Sequence, residues 1–358
     1  MLKTECLIIG AGAVGLITAV ELRRRGFGVA MLERGEAGQE ASWAGGGILF
    51  PLLPWDYPEP VTTLAMAGVN QYPALVETLL ADTGIDPELR RSGMLVLPPF
   101  DALAAASWCR NHALGQETCR GRRFVPELAK NEDALWLPGV FQARNPRLLQ
   151  ALRRWLERHG VTIVSSAPVE QLEVKNNRLE SVATPQGRFS ADRIVVTAGA
   201  WSKELLGEHA LKLDIRPIRG QMLLFKGAPG RLEPVLMKNG TYLVPRADGH
   251  ILVGSTLEDT GFDKRTTAAA RDKLYAEAVK LLPFLQDTPM LKHWAGLRPG
   301  SPGNIPTIDR HPAIDNLYVN SGHFRYGVTM APASAHLLAD LLEGRTPALD
   351  ATPYRWPT

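Results

Sequence analysis

Three features that often define a protein's class are scarce in this 358-residue chain: cysteine, long apolar runs and an excess of one charge. Its three cysteines, Cys6, Cys109 and Cys119, are an odd number without a C-x-x-C pair. They therefore argue against a disulfide framework or a zinc site, and the eight histidines show no metal-ligand spacing. The net charge of +3 is too even for a dedicated nucleic-acid binder. We expect no bound metal and no nucleic-acid partner.

The apolar run nearest the amino terminus, 6–20, does not resemble a membrane span or a signal peptide. Gly10, Gly12 and Gly15 interrupt it, and no basic segment precedes it. We expect a cytoplasmic protein without a membrane partner. At roughly 100–200 residues per domain, the length predicts two or three domains.

Glycine and proline, by contrast, are abundant at 33 and 27 residues, which implies many turns and close backbone contacts. The most informative glycines are Gly10, Gly12 and Gly15, which form a G-x-G-x-x-G motif. An apolar strand is predicted just before them at 6–9, and apolar residues with helical spacing follow at 16–22. This strand–turn–helix context is typical of a dinucleotide-binding site.

Each residue of this motif has its own predicted role. Gly10 permits the tight turn, Gly12 lets the backbone approach a pyrophosphate, and Gly15 lets the helix pack closely on the strand. A second strand, 29–32, ends at Glu33, where an acidic residue would face a ribose. The helix N-terminus would supply N–H donors to the phosphates. The motif alone leaves NAD and FAD open.

Two kinds of pattern follow along the chain. An amphipathic helix at 145–158 and a strand at 161–164 continue the alternation of strand and helix. The chain returns to it with a strand at 317–320 and a helix at 330–342, whose first turn would contain Pro332. Between them, turn signals predict antiparallel strands at 221–225, 242–245 and 251–254. The fold class is therefore α/β, a Rossmann-like domain plus a second α+β domain with a largely antiparallel sheet.

Four motifs occur in a fixed order: the glycine turn with Glu33, then 195–202 (V-V-T-A-G-A-W-S), 294–300 (W-A-G-L-R-P-G) and 322–327 (G-H-F-R-Y-G). Together they resemble the FAD-dependent D-amino-acid oxidase superfamily nearly end to end, and within it the members that oxidise glycine. The resemblance implies a discontinuous FAD-binding domain and a substrate-binding domain with an antiparallel sheet. The expected boundaries are 1–85, 145–215 and 305–358 for the first domain, and 86–144 and 216–304 for the second.

The resemblance also implies which residues contact FAD. The glycine turn would hold the pyrophosphate, Glu33 and Arg34 would meet the ribose and adenine, and the backbone of Val169 would hold the adenine. The loop 41–48 would pass the phosphates and the isoalloxazine. The stretch 323–329 would line the pyrimidine side, where a helix N-terminus stabilises negative charge on reduced flavin. The expected contacts are Gly10, Gly12, Ala13, Val14, Gly15, Glu33, Arg34, Ala41, Ser42, Gly46, Gly47, Ile48, Val169, Gly199, Trp201, His323, Phe324, Arg325, Tyr326, Gly327, Val328 and Thr329.

For the substrate, the resemblance implies a carboxylate held by Arg298, with Arg325 over the substrate side of the flavin and a hydroxyl from Tyr242. A guanidinium suits this task because its planar fork binds a carboxylate bidentately. Apolar or small neighbours flank both arginines, which favours sites away from the free surface. Gly240 and Leu257 depart from the family's pattern, which has histidine and methionine there, so the pocket would also accept amines bulkier than glycine.

The implied reaction is oxidative deamination of glycine, and of sarcosine and small D-amino acids, by hydride transfer to N5 of a non-covalent FAD. The products would be the imine or glyoxylate, ammonia and H₂O₂, with O₂ as acceptor and dehydroglycine supplied to the thiazole of thiamine. No general base is assigned. A covalent flavin, as in the sarcosine-oxidase relatives, would need a cysteine near the carboxyl end, and none follows Cys119. The family likeness also implies a homotetramer.

Other functions remain open at this point. A D-amino-acid dehydrogenase or a sarcosine-oxidase-like demethylase could use the same fold. An NAD-dependent dehydrogenase and a flavin-binding scaffold without turnover are alternatives of other classes. Oxygen consumption, flavin colour and reduction by amino acids distinguish them.

Overall fold

The computed structural model describes residues 2–357, and most of their strands fall into two eight-stranded sheets with a small three-stranded sheet beside them. The strands are β1 (Leu2–Ile9), β2 (Val29–Leu32), β3 (Ile48–Leu49), β4 (Arg90–Arg91), β5 (Met94–Val96), β6 (Glu117–Arg120), β7 (Asp133–Leu137), β8 (Phe141–Gln142), β9 (Thr162–Val164), β10 (Gln171–Lys175), β11 (Arg178–Thr184), β12 (Gly187–Val196), β13 (Arg216–Lys226), β14 (Val235–Lys238), β15 (Thr241–Pro245), β16 (His250–Gly254), β17 (Met290–Gly300), β18 (Thr307–Arg310) and β19 (Leu317–Ser321).

The α-helices are α1 (Ala13–Arg24), α2 (Ala41–Ala44), α3 (Glu59–Thr83), α4 (Ala102–Asn111), α5 (Asn145–Arg158), α6 (Ser202–Leu206), α7 (Ala268–Leu281) and α8 (Gly327–Glu343). Short 3-10 helices lie at Pro54–Asp56, Gly121–Arg123, Gly199–Trp201, Gly207–Ala210, Pro283–Asp287, Pro302–Asn304 and Thr352–Tyr354. Within residues 2–357, no helix combines the length and the apolar character that crossing a bilayer requires.

The first large sheet has β1 at its centre, parallel to β12 on one side and to β2 on the other. Its path runs β10-β11-β12-β1-β2-β9, and β19 pairs with β12 and β18. Alternate residues of β1 enter two different cores: Ile8 packs with the helices on one face, and Leu7 and Ile9 pack on the other. Because both faces are covered, the strand is apolar at every one of these positions, as predicted for a buried parallel strand.

The second large sheet, β17-β13-β16-β15-β14-β5-β7-β6, is antiparallel except where β14 runs parallel to β5. The predicted Asn239-Gly240 turn joins β14 to β15, and both residues have positive φ (50° and 80°). Leu223 and Val253 pack with α7 in one core, whereas Met222 faces the opposite way, into the core shared with the first sheet's helices. This second face closes one side of the site described below.

The hairpin β10–β11 was not predicted from the sequence. Its turn is the pair Asn176-Asn177, which adopts φ values of 48° and 57°. Asparagine tolerates this left-handed conformation better than most residues, so the Asn-Asn pair was an available signal for a two-residue hairpin.

The start of α8 differs from the prediction. The helix begins at Gly327 instead of Met330, so Pro332 lies beyond the first turn, inside the helix. A proline there has no N–H for the carbonyl four residues earlier. The hydroxyl of Tyr72 on α3 donates to that carbonyl, the oxygen of Val328, at 2.5 Å. A tertiary hydrogen bond thus replaces the missing helical one.

Candidate active site

One cavity lies between the two large sheets, and it is lined by nearly all of the residues predicted to bind cofactor or substrate. Gly15 is the exception. A Cβ on Gly15 would lie 2.0 Å from the carbonyl oxygen of Gly10, so this glycine packs beneath the turn instead of lining the cavity. Its place agrees with the predicted helix–strand packing and not with a direct cofactor contact.

The glycine turn that follows β1 forms the floor of one end. Gly10 has φ of 109°, and a Cβ there would lie 2.6 Å from the oxygen of Thr197. The start of α1 is therefore pressed against the end of β12, and Gly12, Ala13 and Val14 face the cavity. The N-cap residue, Gly12, has no side chain to cap this helix, so the N–H groups of its first turn that Ser42 does not occupy suit a pyrophosphate.

Glu33 ends β2 beside this turn and is 8% exposed. One carboxylate oxygen accepts the N–H of Ala11 at 2.8 Å, and the other accepts the N–H of Gly35 at 3.0 Å. The carboxylate therefore fixes the backbone on both sides of the turn while remaining on the cavity wall, where it retains lone pairs for a ribose hydroxyl.

The same end of the cavity carries an arginine stacked on an indole. The Arg34 guanidinium lies 3.4 Å from the centroid of Trp201 and donates to Glu40 at 2.6 Å. Val169 faces the same space, and its backbone N–H and carbonyl make no hydrogen bond with any part of the chain that the structure describes. A flat heterocycle with polar edges could use this unpaired backbone.

The loop that contains α2 crosses the middle of the cavity and is held by Ser42 and by two residues that were not among the expected cofactor contacts. Ser42 Oγ accepts the N–H of Ala13 at 2.9 Å. The Asn145 amide donates to the oxygens of Ser42 and Gly45 at 2.7 and 3.2 Å. The buried guanidinium of Arg246 donates to the oxygen of Gly46 at 2.9 Å. Burial and the nearby Arg144 lower the Arg246 pKa to about 10.

The opposite wall is the loop that leads into α8. His323 is buried, and burial lowers the pKa of its imidazole to about 3, so it is neutral at physiological pH. The Tyr326 hydroxyl accepts the N–H of Leu52 at 3.0 Å, which joins this loop to the chain after β3. No side chain caps α8, so the N–H groups of its first turn face the cavity at Gly327, Val328 and Thr329.

Three buried polar atoms on the cavity wall have no hydrogen-bond partner among the described residues: Asn145 Oδ1, Asn320 Oδ1 and His323 Nε2. Leaving such atoms unpaired is costly, so a ligand with complementary groups is expected beside them. A dinucleotide with a polar-edged ring system meets this requirement, and the two helix N-termini suit its phosphates and its electron-rich ring edge. The residues present therefore fit FAD.

Arg298 projects from β17 at the other end of the cavity. Its guanidinium donates to Ser255 Oγ at 2.6 Å and to the oxygen of Thr256 at 3.1 Å. The group lies flat over Gly220, where a Cβ would come within 2.2 Å of Nη1. Burial lowers the Arg298 pKa, and no carboxylate among residues 2–357 pairs with it. It is therefore a half-buried cation ready to receive an anion.

Tyr242 and Arg325 lie near this arginine. Tyr242 is 9% exposed and is wedged between Gly46 and Gly254, where added Cβ atoms would each lie 3.0 Å from its ring. Its hydroxyl is 3.9 Å from the sulfur of Met222. Arg325 lines the cavity but is exposed, with Nη1 at 3.5 Å from the Tyr57 hydroxyl. The expectation that its neighbours keep it from the surface was therefore wrong.

The two departures from the family pattern have different positions. Gly240 lines the cavity. Leu257 is 52% exposed and is not part of the cavity wall that the described residues form.

The three cysteines are buried away from the cavity lining, and burial raises the Cys6 pKa to about 12. No group of three or more His, Cys, Asp or Glu within residues 2–357 is arranged to hold a metal ion.

Comparisons with known proteins identify the family. The family model described as FAD dependent oxidoreductase (DAO) matches residues 5–341. A glycine oxidase from Pseudomonas aeruginosa is 44% identical over 362 residues, with 99% of this chain and 98% of the relative covered. The bifunctional protein ThiO/ThiG of Synechocystis is 35% identical over 349 residues, covering 95% of this chain and 51% of that protein.

The fold is shared with a solved structure of glycine oxidase from Geobacillus kaustophilus, at a TM-score of 0.93 and 27% identity, covering 100% of this chain and 99% of the other. The family decides between the two dinucleotides that the glycine motif left open, in favour of FAD. The chain thus belongs to the DAO family of FAD-dependent oxidoreductases, and it is an FAD-dependent amine oxidoreductase.

Proposed function

We propose that the protein catalyses the oxidative deamination of glycine, with sarcosine and small D-amino acids as further substrates. One observation carries the proposal: Arg298 is a half-buried guanidinium without a carboxylate partner among the described residues, at the end of the cavity away from the nucleotide motif. An α-amino acid brings the missing carboxylate. The names of the glycine oxidase relatives support the choice of substrate.

The side chains at this end bind and orient the substrate. Arg298 would pair bidentately with the carboxylate, and the Tyr242 hydroxyl would donate to the same group. Tyr242 and Met222 are buried on the cavity wall and would exclude water from the substrate's Cα. Arg325, at the exposed edge, would add positive charge where the anion enters.

When bound, FAD would supply the oxidising chemistry, as acceptor of a hydride from the substrate's Cα with O₂ as the final electron acceptor. The protein's contribution is orientation and electrostatics. The N–H groups at the start of α8 would stabilise negative charge on the pyrimidine edge of the reduced ring. The neutral His323 would remain there as a hydrogen-bonding group without adding charge.

The substrate's amine must be neutral to release a hydride, so the rate should rise with pH. We assign no general base, because a small amine can lose its proton to solvent. The products would be the imine or glyoxylate, ammonia and H₂O₂, and the family resemblance supports a supply of dehydroglycine for the thiazole of thiamine. The absence of a described cysteine on the cavity wall supports a non-covalent FAD.

We propose that the chain forms two domains, each assembled from separate stretches. The FAD-binding domain comprises 1–85, 145–215 and 305–358, and the substrate-binding domain comprises 86–144 and 216–304. This division follows the two large sheets, whose strands come from these separate stretches. We also propose a cytoplasmic homotetramer, on the family resemblance.

An anaerobic titration of the purified holoprotein tests the function. Glycine, sarcosine and D-alanine are added in turn while the absorbance of oxidised flavin is followed. We expect glycine to bleach the flavin, with the other two doing so at higher concentration. A flavin that stays oxidised with all three would rule out the proposal.

Admitting air to the reduced enzyme then identifies the electron acceptor. Rapid return of the oxidised spectrum with stoichiometric H₂O₂ is expected for an oxidase. Slow reoxidation, together with fast reduction of an artificial dye, would show a dehydrogenase acting on the same substrates.

A further inference from the structure

A connecting segment links the two ends of the cavity. It comprises 255–267, runs from the end of β16 to the start of α7, and is called the strap below. Its first residues touch Arg298, and its later residues touch the nucleotide end. The strap therefore joins the candidate substrate site to the candidate cofactor site.

The first part of the strap holds the guanidinium of Arg298. Ser255 offers its side-chain oxygen and Thr256 its carbonyl oxygen, at 2.6 and 3.1 Å. On the other side, Gly220 leaves no space between the guanidinium and β13. Three contacts thus set the plane of the fork, and two of them belong to the strap.

Glu258 fixes the strap to the second sheet. One oxygen of its carboxylate accepts hydrogen bonds from the Thr256 hydroxyl and from the Gln221 amide, the latter at 2.8 Å. The other oxygen accepts from Arg219 at 2.5 Å. The backbones of Glu258 and Arg219 also exchange hydrogen bonds of 2.8 and 3.0 Å. Since Arg219 is only 5% exposed, its charge needs compensation, which Glu258 provides at 2.5 Å and Asp263 provides at 3.5 Å.

The far end of the strap lies on the nucleotide end of the cavity. Phe262, although 43% exposed, stacks on Trp201 with ring centroids 5.5 Å apart. Lys264 pairs with Glu40 at 3.0 Å, and Arg34 pairs with the same carboxylate. Because the strap is attached at both ends, the position of Thr256 is not free to follow the side chain of Arg298.

We propose that Glu258 is a positioning residue for Arg298, acting through the Thr256 hydroxyl and backbone to orient the fork that receives the substrate's carboxylate. The inference rests on the proposed function, since it takes Arg298 to bind that carboxylate. Bidentate pairing needs a fork held within narrow angles, and a misplacement of about 1 Å can cost a hundredfold in rate. Glu258 itself does not line the cavity that the described residues form.

The variant Glu258→Gln tests the proposal in the holoenzyme. It keeps the shape of the side chain but removes the charge that compensates Arg219. We expect KM for glycine to rise about tenfold while kcat at saturation changes by less than about twofold, with FAD content unchanged. A fall in kcat with KM unchanged would overturn the assignment.

Asp263→Asn is the matched control. Asp263 also lies on the strap and faces Arg219, at 3.5 Å, but it makes no contact with Thr256. We expect its KM to stay within about twofold of the parent enzyme. An equal rise of KM in both variants would show that only the compensation of the buried Arg219 charge matters. That result would contradict a positioning role for Glu258.

Two further variants separate this proposal from the proposed function. Thr256→Val removes the hydroxyl but keeps the Arg219–Glu258 pair, and it should raise KM as Glu258→Gln does, which keeps the test valid if Glu258→Gln does not fold. In an Arg298→Lys background, Glu258→Gln should add no further effect. Fully additive effects would overturn the positioning role. An Arg298→Lys enzyme with unchanged KM would instead overturn the carboxylate assignment itself.

Discussion

The two ends of the cavity differ in the chemical groups that line them: mainly backbone at one end and side chains at the other. The nucleotide end consists largely of backbone: the Gly10–Gly15 turn, the first-turn N–H groups of α1 and α8, and the unpaired backbone of Val169. The substrate end consists of side chains, chiefly Arg298 and Tyr242, on antiparallel strands. The nucleotide end requires that side chains be absent, whereas the substrate end requires that particular side chains be held in a fixed orientation.

This difference changes what a mutation does. At the nucleotide end, any residue except proline can donate a backbone N–H, so the critical condition is space for close approach. At the substrate end, the charge is carried by one group, and its direction depends on contacts from Gly220, Ser255 and Thr256. Adding a methyl group should therefore disable the first end, and deleting a side chain should disable the second.

The largest effect is expected from Gly15→Ala. The new Cβ would lie 2.0 Å from the oxygen of Gly10, and neither backbone can move without separating α1 from β1. We expect a loss of at least about 4 kcal/mol of stability and little FAD in the purified protein. The measurement is flavin content together with urea unfolding. Gly35→Ala, with nothing within 4 Å, is the control and should retain FAD.

Arg298→Ala should produce the opposite pattern. Losing one charged bidentate pair costs about 2–4 kcal/mol, so KM for glycine should rise by roughly 30- to 1,000-fold while FAD stays bound. Steady-state kinetics and flavin content check it. Arg216→Ala, at the exposed start of β13, should leave KM unchanged. If Arg298→Ala lost FAD with KM unaltered, the two ends would not be separable.

The acid stability of the holoprotein tests the buried imidazole of His323. Its folded pKa of about 3 lies below the unfolded value of about 6.5. As pH falls through this window, only the unfolded chain takes the proton, so the free energy of unfolding falls by about 1.4 kcal/mol per pH unit from this group. Above pH 6.5 this contribution is constant.

Urea unfolding with excess FAD at pH 7 and pH 5 measures this effect. His323→Asn should remove about 2 kcal/mol of the difference between the two pH values. His336→Asn, whose side chain is 50% exposed, is the control and should keep the parental difference. An identical pH dependence in His323→Asn would mean that His323 takes a proton while folded.

The smallest effect is expected from Tyr72→Phe. The variant removes the hydroxyl that donates a hydrogen bond to the Val328 carbonyl. This bond replaces the helical one that Pro332 cannot make, because proline has no N–H. A lowering of stability by about 1 kcal/mol is expected, seen as a lower Tm, with kinetics near those of the parent. Tyr275→Phe, whose hydroxyl makes a long 3.3 Å bond at the surface, should leave Tm unchanged. Equal Tm values for the two would show that water serves Val328 instead.

Local patterns were sufficient where a segment's neighbours are close in sequence. The unit β1–α1–β2, the helix α5 and the Asn239-Gly240 turn all agree with their predictions, because periodicity and turn chemistry are local properties. The predicted start of α8 was wrong because the hydroxyl of Tyr72, on α3, donates to the carbonyl that the proline cannot serve. No local pattern contains that contact.

The site shows the same limit. Asn145 was identified only as the start of a helix, yet its amide holds the loop at Ser42 and Gly45. Arg246 follows a predicted strand, and no local pattern marks it as part of the site. Its guanidinium nevertheless donates to the carbonyl of Gly46, which is 200 residues away in sequence. Both act through partners that only the folded chain brings near.

The sequence by itself determined the dinucleotide motif and the residue types available for the chemistry, because glycine spacing and a guanidinium are properties of the residues themselves. Only the tertiary structure decided that Arg298 has no carboxylate partner in the described chain while Arg219 has one in Glu258. Both arginines occupy neighbouring strands of one sheet. Their different roles follow from the carboxylate of Glu258, which pairs with Arg219, and pairing of that kind depends on distance in space rather than on position along the chain.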